Sequence, residues 1–314
     1  MKMKFTLVIP VYKNEESIPS LLEVLSLMST QLSRQLSVIF VVDGSPDKSY
    51  SILEHRMSDL DFPVKLICHA RNFGSFAALR TGLDHVETEY CCVMAADLQE
   101  PPSLFIDMFQ ELEKNDCDVI VGTRDARVDP LLSKVFSSIY WHAYRHFVVP
   151  DLPIGGIDVF GCNKSFRHHL LCLKESKTSL IALIYWLGFR RKEISYIRNQ
   201  REFGSSAWTF KKKFEYMLDS VFSFTDIPIK LLLRLGGGGI LLSILLGFIV
   251  IFSRVFGFIS EPGYSATVIL IMFFGALNMF GLGLTAEYAW RAYENTKQRP
   301  QSVVMKVTDN YEDF

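Results

Sequence analysis

The segment 90-YCCVMAADLQEPP-102 gives the clearest indication of how this chain folds. Residues 91–95 form a short apolar run that predicts a buried strand. Asp97, Gln99 and Glu100 follow at once, and then two prolines, which end a strand and favour the first turn of a helix. The segment therefore predicts carboxylate and amide oxygens at the carboxyl end of a strand, where a hard cation such as Mg2+ or Mn2+ prefers to bind. For this segment alone, a plain polar turn is the alternative.

The rest of the N-terminal half alternates apolar strands with amphipathic helices. Strands are predicted at residues 5–10, 38–42, 64–68, 91–95 and 118–121, and helices at 17–31, up to 56, 74–86 and 103–114. Continuously apolar strands separated by helices are typical of a mostly parallel sheet that is covered on both faces. Such sheets bind their ligands outside the carboxyl ends of the strands.

Each predicted strand ends in polar or conformationally special residues. In chain order these are Pro10 with Tyr12 and Glu15, Asp43 with Gly44, Arg71 with Asn72, Asp97 with Gln99, and Gly122 with Arg124. Because these ends meet at one edge of a parallel sheet, they predict a ligand site there. No G-x-G-x-x-G motif follows the first strand and no Walker lysine loop is present, which argues against a dinucleotide-binding or P-loop fold.

Charge and composition narrow the class of protein. The chain has 33 basic and 34 acidic residues, so its balance gives no support to nucleic-acid binding. Its hydrophobic fraction of 49% is concentrated near the C-terminus, which indicates a membrane segment. Six cysteines without C-x-x-C spacing are predicted to be reduced packing residues.

Two long apolar runs near the C-terminus, uncharged over residues 235–253 and 264–286, predict a transmembrane hairpin. The spans are about 235–257 and 264–286, and each is long enough to cross a hydrocarbon core of roughly 30 Å. Basic residues flank the pair on the side of both chain termini, at Lys230, Arg234, Arg291, Lys297 and Arg299. The positive-inside rule therefore predicts both termini and the N-terminal domain in the cytosol.

Three further features concern the membrane region. Residues 208–234 are predicted to form an amphipathic element at the membrane surface, with an ordinary core helix as the alternative. Gly275, Gly281 and Gly283 permit close contact between helices. They predict a homo-oligomer, for which a tetramer is possible, or simply packing within the hairpin. Residues 291–314 are interpreted as a cytosolic C-terminal tail.

Several short motifs together resemble a known family. They are VIPVYKNEES, VVDGSPD, HARNFGSFAALRTGL, AADLQEPP, GTR and a later R-x-x-R-x-x-G-x-S segment. From residue 3 to about 303 the chain resembles family-2 glycosyltransferases. More narrowly, it resembles the membrane-anchored polyprenyl-phosphate glycosyltransferases, which include prophage-type glucosyltransferases and dolichol-phosphate mannose synthases. The resemblance implies a GT-A fold over residues 1–207, a nucleotide-sugar donor, a divalent metal ion and inversion at the anomeric carbon.

The resemblance also implies roles for the residues at the sheet edge. Asp97 and Gln99 would hold the metal ion, Mg2+ or Mn2+, and through it the donor diphosphate. Val42 and Ala95 depart from the pattern, because the family often has aspartate at both positions. The residues implied in nucleotide-sugar binding are Pro10, Tyr12, Glu15, Asp43, Arg71, Asp97 and Gln99.

Asp158 is the candidate for acceptor chemistry. It is a single carboxylate in the apolar run of residues 152–160, and such a group costs several kcal/mol unless it is partnered. In the resembled family this position is the catalytic aspartate. A phosphate monoester has a second pKa of about 6 and is already a good nucleophile at neutral pH. We therefore expect Asp158 to position the acceptor or to take up a residual proton.

A set of basic and hydroxyl side chains is predicted to bind the phosphate of the acceptor. Arginine forks match phosphate oxygens, which suits an anionic acceptor. A solvated basic face is the alternative. The residues of this set are Arg124, Ser133, Lys134, Ser137, Arg198, Arg201 and Ser205.

Together these features predict an inverting, metal-dependent hexosyltransferase at the bacterial inner membrane. It would move a hexose, glucose being the first choice, from a UDP-linked donor to undecaprenyl phosphate or another polyprenyl phosphate. Two alternatives remain open. One is a glycosyltransferase with a glycan or protein acceptor, and the other is a nonenzymatic regulator that binds a nucleotide sugar.

Overall fold

The computed structural model describes residues 3–124, 145, 153, 157–175, 179–199, 218–225, 227–256 and 263–311. The chain divides into two compact units. The first comprises Met1–Phe214 together with Pro300–Phe314, and the second comprises Glu215–Arg299.

An eight-stranded sheet forms the centre of the first unit. Its strands are β1 (Phe5–Val11), β2 (Leu36–Val42), β3 (Val64–His69), β4 (Tyr90–Val93), β5 (Val119–Arg124), β6 (Ile157–Asn163), β7 (Arg191–Tyr196) and β8 (Val304–Asp309). Their spatial order is β7-β5-β6-β4-β1-β2-β3-β8. The pairs β1–β2, β2–β3, β1–β4 and β5–β7 are parallel, which confirms the predicted mostly parallel sheet. Strand β6 runs antiparallel between β4 and β5, and β8 runs antiparallel to β3.

Helices cover the sheet and bury their apolar faces against it. They are α1 (Ile18–Gln31), α2 (Ser49–Arg56), α3 (Ser75–Asp84), α4 (Pro102–Glu113), α5 (Lys164–Cys172) and α6 (Leu180–Trp186). In α1 the buried residues Ile18, Leu21 and Leu25 recur at helical spacing. Helix α4 has a proline in its first turn, where the missing N–H is not needed, and buries Phe105 and Phe109.

The cysteines are mostly part of this core. Five of the six are buried and only Cys172 is exposed. Cys91 and Cys92 lie in β4, and Cys162 lies opposite Cys91 in β6. Their burial is consistent with the packing role that the sequence predicts.

The C-terminal residues belong to the first unit, which the sequence did not predict. Strand β8 pairs with the edge strand β3. Behind it the buried side chain of Asn310 accepts a hydrogen bond from the backbone N–H of Val64 at 2.7 Å and donates to the carbonyl of Met57 at 2.8 Å. Residues 304–309 are therefore a strand of the sheet, and Asn310 ties the end of that strand to the residues around β3.

The second unit consists of helical residues 218–224 and two long helices, α7 (Ile227–Val255) and α8 (Tyr264–Thr296). Both long helices are apolar and long enough to cross a membrane, over Ile227–Leu246 and Leu270–Thr296. Helix α7 begins inside the segment 208–234 that the sequence predicts to lie at the membrane surface. Arg291 of α8 donates to Asp219 and to Glu287, each at 2.8 Å, and so joins the helical residues 218–224 to α8.

Candidate active site

The reversed strand β6 brings the key residues together. Because β6 is antiparallel to β5, its first residues lie beside the last residues of that strand, with Ile157 opposite Thr123 and Val159 opposite Gly122. Asp158 therefore lies at the sheet edge where β4, β5 and β7 end. Asp158 thus lies at the same edge of the sheet as the polar turn that follows β4.

Three hydrogen bonds hold the carboxylate of Asp158. Arg124 at the end of β5 donates to it through Nε and through Nη2, the latter at 2.6 Å from Oδ1. Tyr196 at the end of β7 donates its hydroxyl to Oδ2 at 2.8 Å. Such a charge-assisted, bidentate ion pair fixes the orientation of a carboxylate. Arg124 is thus already engaged, and its predicted contact with an acceptor phosphate would have to use its remaining donors.

The partners of Asp158 keep their protons at neutral pH. Burial opposes the charge on Arg124, but the hydrogen bond and the charge of Asp158 outweigh burial and raise the pKa of Arg124. Burial also raises the pKa of Tyr196, and the charges of Asp158 and Glu100 raise it further. Tyr196 is therefore a hydrogen-bond donor to Asp158 over the physiological pH range.

The turn after β4 is tied to the segment that follows β7. Leu98 in this turn has a φ of 54°, a left-handed backbone conformation that is uncommon for a residue with a side chain. Next to it, the backbone N–H of Asn199 donates to the carbonyl of Gln99 at 2.8 Å. Arg198 Nη2 donates to Oε1 of Gln99 at 2.6 Å. Gln99 and Arg198, which the sequence assigns to the metal ion and to the acceptor phosphate, are therefore hydrogen-bonded to each other.

Glu100 is the residue of this site to which the sequence analysis gave no role. It is only 1% exposed, and its Oε1 lies 3.7 Å from Nε of Arg198. No described residue forms a hydrogen bond with its Oε2. Burial raises the pKa of Glu100 to about 7; the charge of Arg198 opposes this shift, and the charges of Asp97 and Asp158 add to it. The signal in the sequence was a carboxylate directly between Gln99 and the proline pair.

The residues of this turn fit a divalent cation that also binds the substrate. Among the described residues no group of three or more His, Cys, Asp or Glu side chains is arranged to hold a metal ion. A cation that takes most of its ligands from a diphosphate needs only one or two protein oxygens. Asp97 would supply carboxylate oxygens, and the buried Glu100 lies close enough for the charge of Asp97 to raise its pKa. Oε1 of Gln99, the other predicted ligand, accepts a hydrogen bond from Arg198 in this structure.

Asp43, predicted to contact the nucleotide, is already satisfied by the protein. It is 2% exposed, and its two oxygens accept from the backbone N–H groups of Phe73 at 2.9 Å and Gly74 at 2.7 Å. His69 Nδ1 also lies 2.8 Å from Oδ1 of Asp43. Asp43 thus holds the turn between β3 and α3, and a direct contact with the ribose stays a prediction. Val42, where the family often has aspartate, is buried in the core.

The other predicted donor-site residues lie at the same sheet edge. Pro10 is the next-to-last residue of β1 and is half-buried, and Tyr12, just beyond the strand, is exposed. Oε2 of Glu15 accepts from the backbone N–H of Lys48 at 2.9 Å. Arg71 is exposed, with its guanidinium 4.0 Å from the ring centroid of Phe73. The remaining predicted acceptor residues lie outside the described residues: Ser133, Lys134, Ser137, Arg201 and Ser205.

Comparison with known proteins supports the same family along the chain. The sequence profile described as glycosyl transferase family 2 matches residues 6–172. An undecaprenyl-phosphate 4-deoxy-4-formamido-L-arabinose transferase of Photorhabdus laumondii is 31% identical over 329 residues, covering 99% of this chain and 98% of that protein. The prophage bactoprenol glucosyl transferase homolog of Escherichia coli K12 is 24% identical over 305 residues, covering 97% and 99% respectively.

Among solved structures, the chain aligns with the mannosyltransferase PcManGT of Pyrobaculum calidifontis with a TM-score of 0.47 and 13% identity. The alignment covers 90% of this chain and 88% of that one. The family profile matches more than half of the chain, and the Photorhabdus protein is similar along nearly its whole length. On these grounds the chain belongs to glycosyltransferase family 2.

Proposed function

We propose that this protein transfers a sugar from a nucleotide-sugar donor to a polyprenyl phosphate at the cytosolic face of the bacterial inner membrane. The observation that carries the proposal is the pairing of Asp158 with Arg124 and Tyr196 beside the turn of Asp97 and Gln99. One carboxylate is thereby oriented at the edge of the sheet where the neighbouring turn can receive a diphosphate. The names of the Photorhabdus and Escherichia coli relatives support a polyprenyl phosphate as the acceptor.

In the proposed reaction an oxygen of the acceptor phosphate attacks the anomeric carbon of the donor sugar. The bond from that carbon to the diphosphate breaks, and the configuration inverts. Because the attacking phosphate is already ionised, Asp158 positions the acceptor and takes up any residual proton. A divalent cation, Mg2+ or Mn2+, held by Asp97 together with the diphosphate would neutralise charge on the leaving group.

For the donor we propose a UDP-hexose, with glucose as the first candidate and undecaprenyl phosphate as the acceptor. The resemblance to prophage-type glucosyl transferases supports glucose. The Photorhabdus relative is named for a 4-deoxy-4-formamido-L-arabinose, so the corresponding UDP-sugar is the second candidate.

A transfer assay in detergent tests this proposal. The purified chain is incubated with undecaprenyl phosphate, Mg2+ or Mn2+, and a panel of radiolabelled UDP- and GDP-sugars, and label is counted in the organic phase. We expect label in the organic phase with one donor only. This label should be lost without the metal ion and in the variant Asp97→Ala. Donor binding without label in the lipid would refute this acceptor and favour a glycan or protein acceptor or a nonenzymatic regulator.

We also propose that α7 and α8 form a membrane hairpin with both chain termini in the cytosol. The two helices have the length and composition of membrane spans, and basic residues flank them. A reporter that is active only in the cytosol should be active when it is fused to the C-terminus, and a reporter that is active only outside the cytosol should be inactive there. The oligomeric state, for which the sequence predicts a homo-oligomer, can be measured on the same detergent-solubilised protein by light scattering.

A further inference from the structure

Two arginines and three carboxylates share the candidate site, but the two arginines are held in different ways. Arg124 is paired closely with Asp158 through two of its nitrogens. Arg198 has a looser arrangement, because its Nε lies 3.7 Å from Oε1 of Glu100 and makes no hydrogen bond with any described residue. Among the described residues, Arg198 thus donates through one nitrogen, Nη2, whereas Arg124 donates through two.

The side chains of Glu100 and Arg198 differ in burial, which shows which of the two lies deeper in the protein. The side chain of Glu100 is 2% exposed, whereas that of Arg198 is 27% exposed. Glu100 is thus the inner member of the pair and Arg198 the outer one. At the same time Nη2 of Arg198 donates to Oε1 of Gln99 at 2.6 Å, which fixes the guanidinium against the turn that follows β4.

A buried carboxylate with so loose a partner is unfavourable for stability. Taking its charge out of water costs several kcal/mol unless hydrogen bonds satisfy it. Oε2 of Glu100 and Nε of Arg198 have no such partner among the described residues. An apolar residue at position 100 would avoid that cost, so the charge at this position needs another explanation.

We propose that Glu100 is a positioning residue that holds Arg198 for binding of phosphate oxygens at the turn of Asp97 and Gln99. The carboxylate of Glu100 attracts the guanidinium from the buried side and Gln99 accepts from Nη2, which leaves Nη1 of Arg198 for the phosphate. A planar fork of donors is well matched to phosphate oxygens. This inference rests on the proposed function, and the phosphate is either the diphosphate of the donor or that of the lipid acceptor.

A double-mutant cycle on the full-length protein in detergent at pH 8, where the carboxyl group of Glu100 is ionised, tests the inference. The variants are Glu100→Gln, which keeps the size of the side chain and removes its charge, Arg198→Gln, and the two combined. Two quantities are measured: the Kd of UDP in the presence of Mn2+ by calorimetry, and the KM for undecaprenyl phosphate. Glu87→Gln is the matched control, because Glu87 is an exposed partner of Lys65 that precedes β4.

We expect each single variant to raise either the Kd of UDP or the KM for undecaprenyl phosphate by about tenfold. The double variant should raise it no further than Arg198→Gln does. A change in the Kd of UDP identifies the donor diphosphate as the ligand of Arg198, and a change in the KM alone identifies the lipid phosphate. Glu100→Asp should recover part of the loss because it keeps the charge.

Three outcomes would overturn the inference. They are unchanged or tighter binding in Glu100→Gln, effects of the two single variants that simply add, and equal losses in Glu87→Gln. Failure of the wild-type protein to bind UDP or GDP and to use the lipid would instead overturn the proposed function, and this inference with it. The two failures are therefore distinguishable.

Discussion

The buried carboxyl group of Glu100 should make the stability of the first unit depend on pH. Burial raises the pKa of Glu100 from 4.5 to about 7. Because the folded-state pKa is above the unfolded value, the folded state retains a proton that the unfolded chain has already released. Stability from this group is therefore fully present below pH 4.5 and is lost as the pH rises through 7. The complete shift corresponds to roughly 3 kcal/mol.

Glu100→Gln cannot ionise and should remove this dependence. Between pH 5 and pH 8 the wild-type protein should lose roughly 2 to 3 kcal/mol relative to the variant. For a domain of this size 1 kcal/mol shifts the Tm by about 2–4 °C. The Tm of the variant minus that of the wild type should therefore rise by about 5–10 °C between the two pH values.

Thermal unfolding of the full chain in detergent with EDTA, followed by near-UV circular dichroism, measures this difference. The chelator excludes divalent cations, whose charge would favour the ionised form of Glu100. Glu87→Gln serves as the control and should give the same Tm difference at both pH values. A Tm difference for Glu100→Gln that does not change with pH, or that falls as the pH rises, would refute the assignment of the raised pKa.

Three further predictions concern other parts of the first unit. Gly44→Ala should destabilise it by about 3 kcal/mol or more, because Gly44 has a φ of +57° and a Cβ there would lie 2.3 Å from the carbonyl carbon of Arg71. An unchanged Tm would contradict this. Asp158→Asn should lower turnover by at least about 100-fold in the transfer assay, and full activity would exclude Asp158 from the chemistry. Asn310→Ala should cost about 2 kcal/mol in thermal unfolding, because the buried N–H of Val64 loses its acceptor. An equal Tm would show that Asn310 does not hold the C-terminal segment in the sheet.

The sequence predicts the first five strands and the first four helices because their apolar patterns are local. Continuous apolar runs mark β1 to β4, and helical spacing marks α1 and α4. The ends of these elements differ from the predictions by a few residues, as in β2, which begins at Leu36 instead of Val38. Such ends depend on hydrogen bonds that an apolar pattern does not specify.

Strands β6, β7 and β8 were not predicted, for one reason in β6 and another in β7 and β8. Strand β6 contains the apolar run around Asp158, but nothing local in it indicates insertion between β4 and β5 in the reverse direction. Strands β7 and β8 lie at the two edges of the sheet, where half of the residues of β7 and five of the six residues of β8 are exposed, so that their sequences carry little apolar signal. Their positions follow from pairing with β5 and β3.

The candidate site shows the same division between local and non-local information. Asp97, Gln99 and Asp158 are visible in the sequence because each follows or interrupts an apolar run. The pairing of Arg124 with Asp158 and that of Arg198 with Gln99 join residues that are far apart in the chain. The sequence therefore predicts both arginines as phosphate ligands and misses the carboxylate and amide groups that hold them.

The antiparallel direction of β6 determines that Asp158 lies in the candidate site. If β6 ran parallel to its neighbours, Asp158 near its start would lie at the edge opposite the turn that follows β4. Reversal places the start of β6 beside the ends of β4 and β5, and the register is held tightly at Gly161, where a Cβ would lie 2.4 Å from the sulfur of Cys92. A larger residue at this position would have to displace β4 or shift the pairing, and a shift by one residue would turn Asp158 to the other face of the sheet. Close packing in the middle of the sheet thus determines which carboxylate reaches the site at its edge.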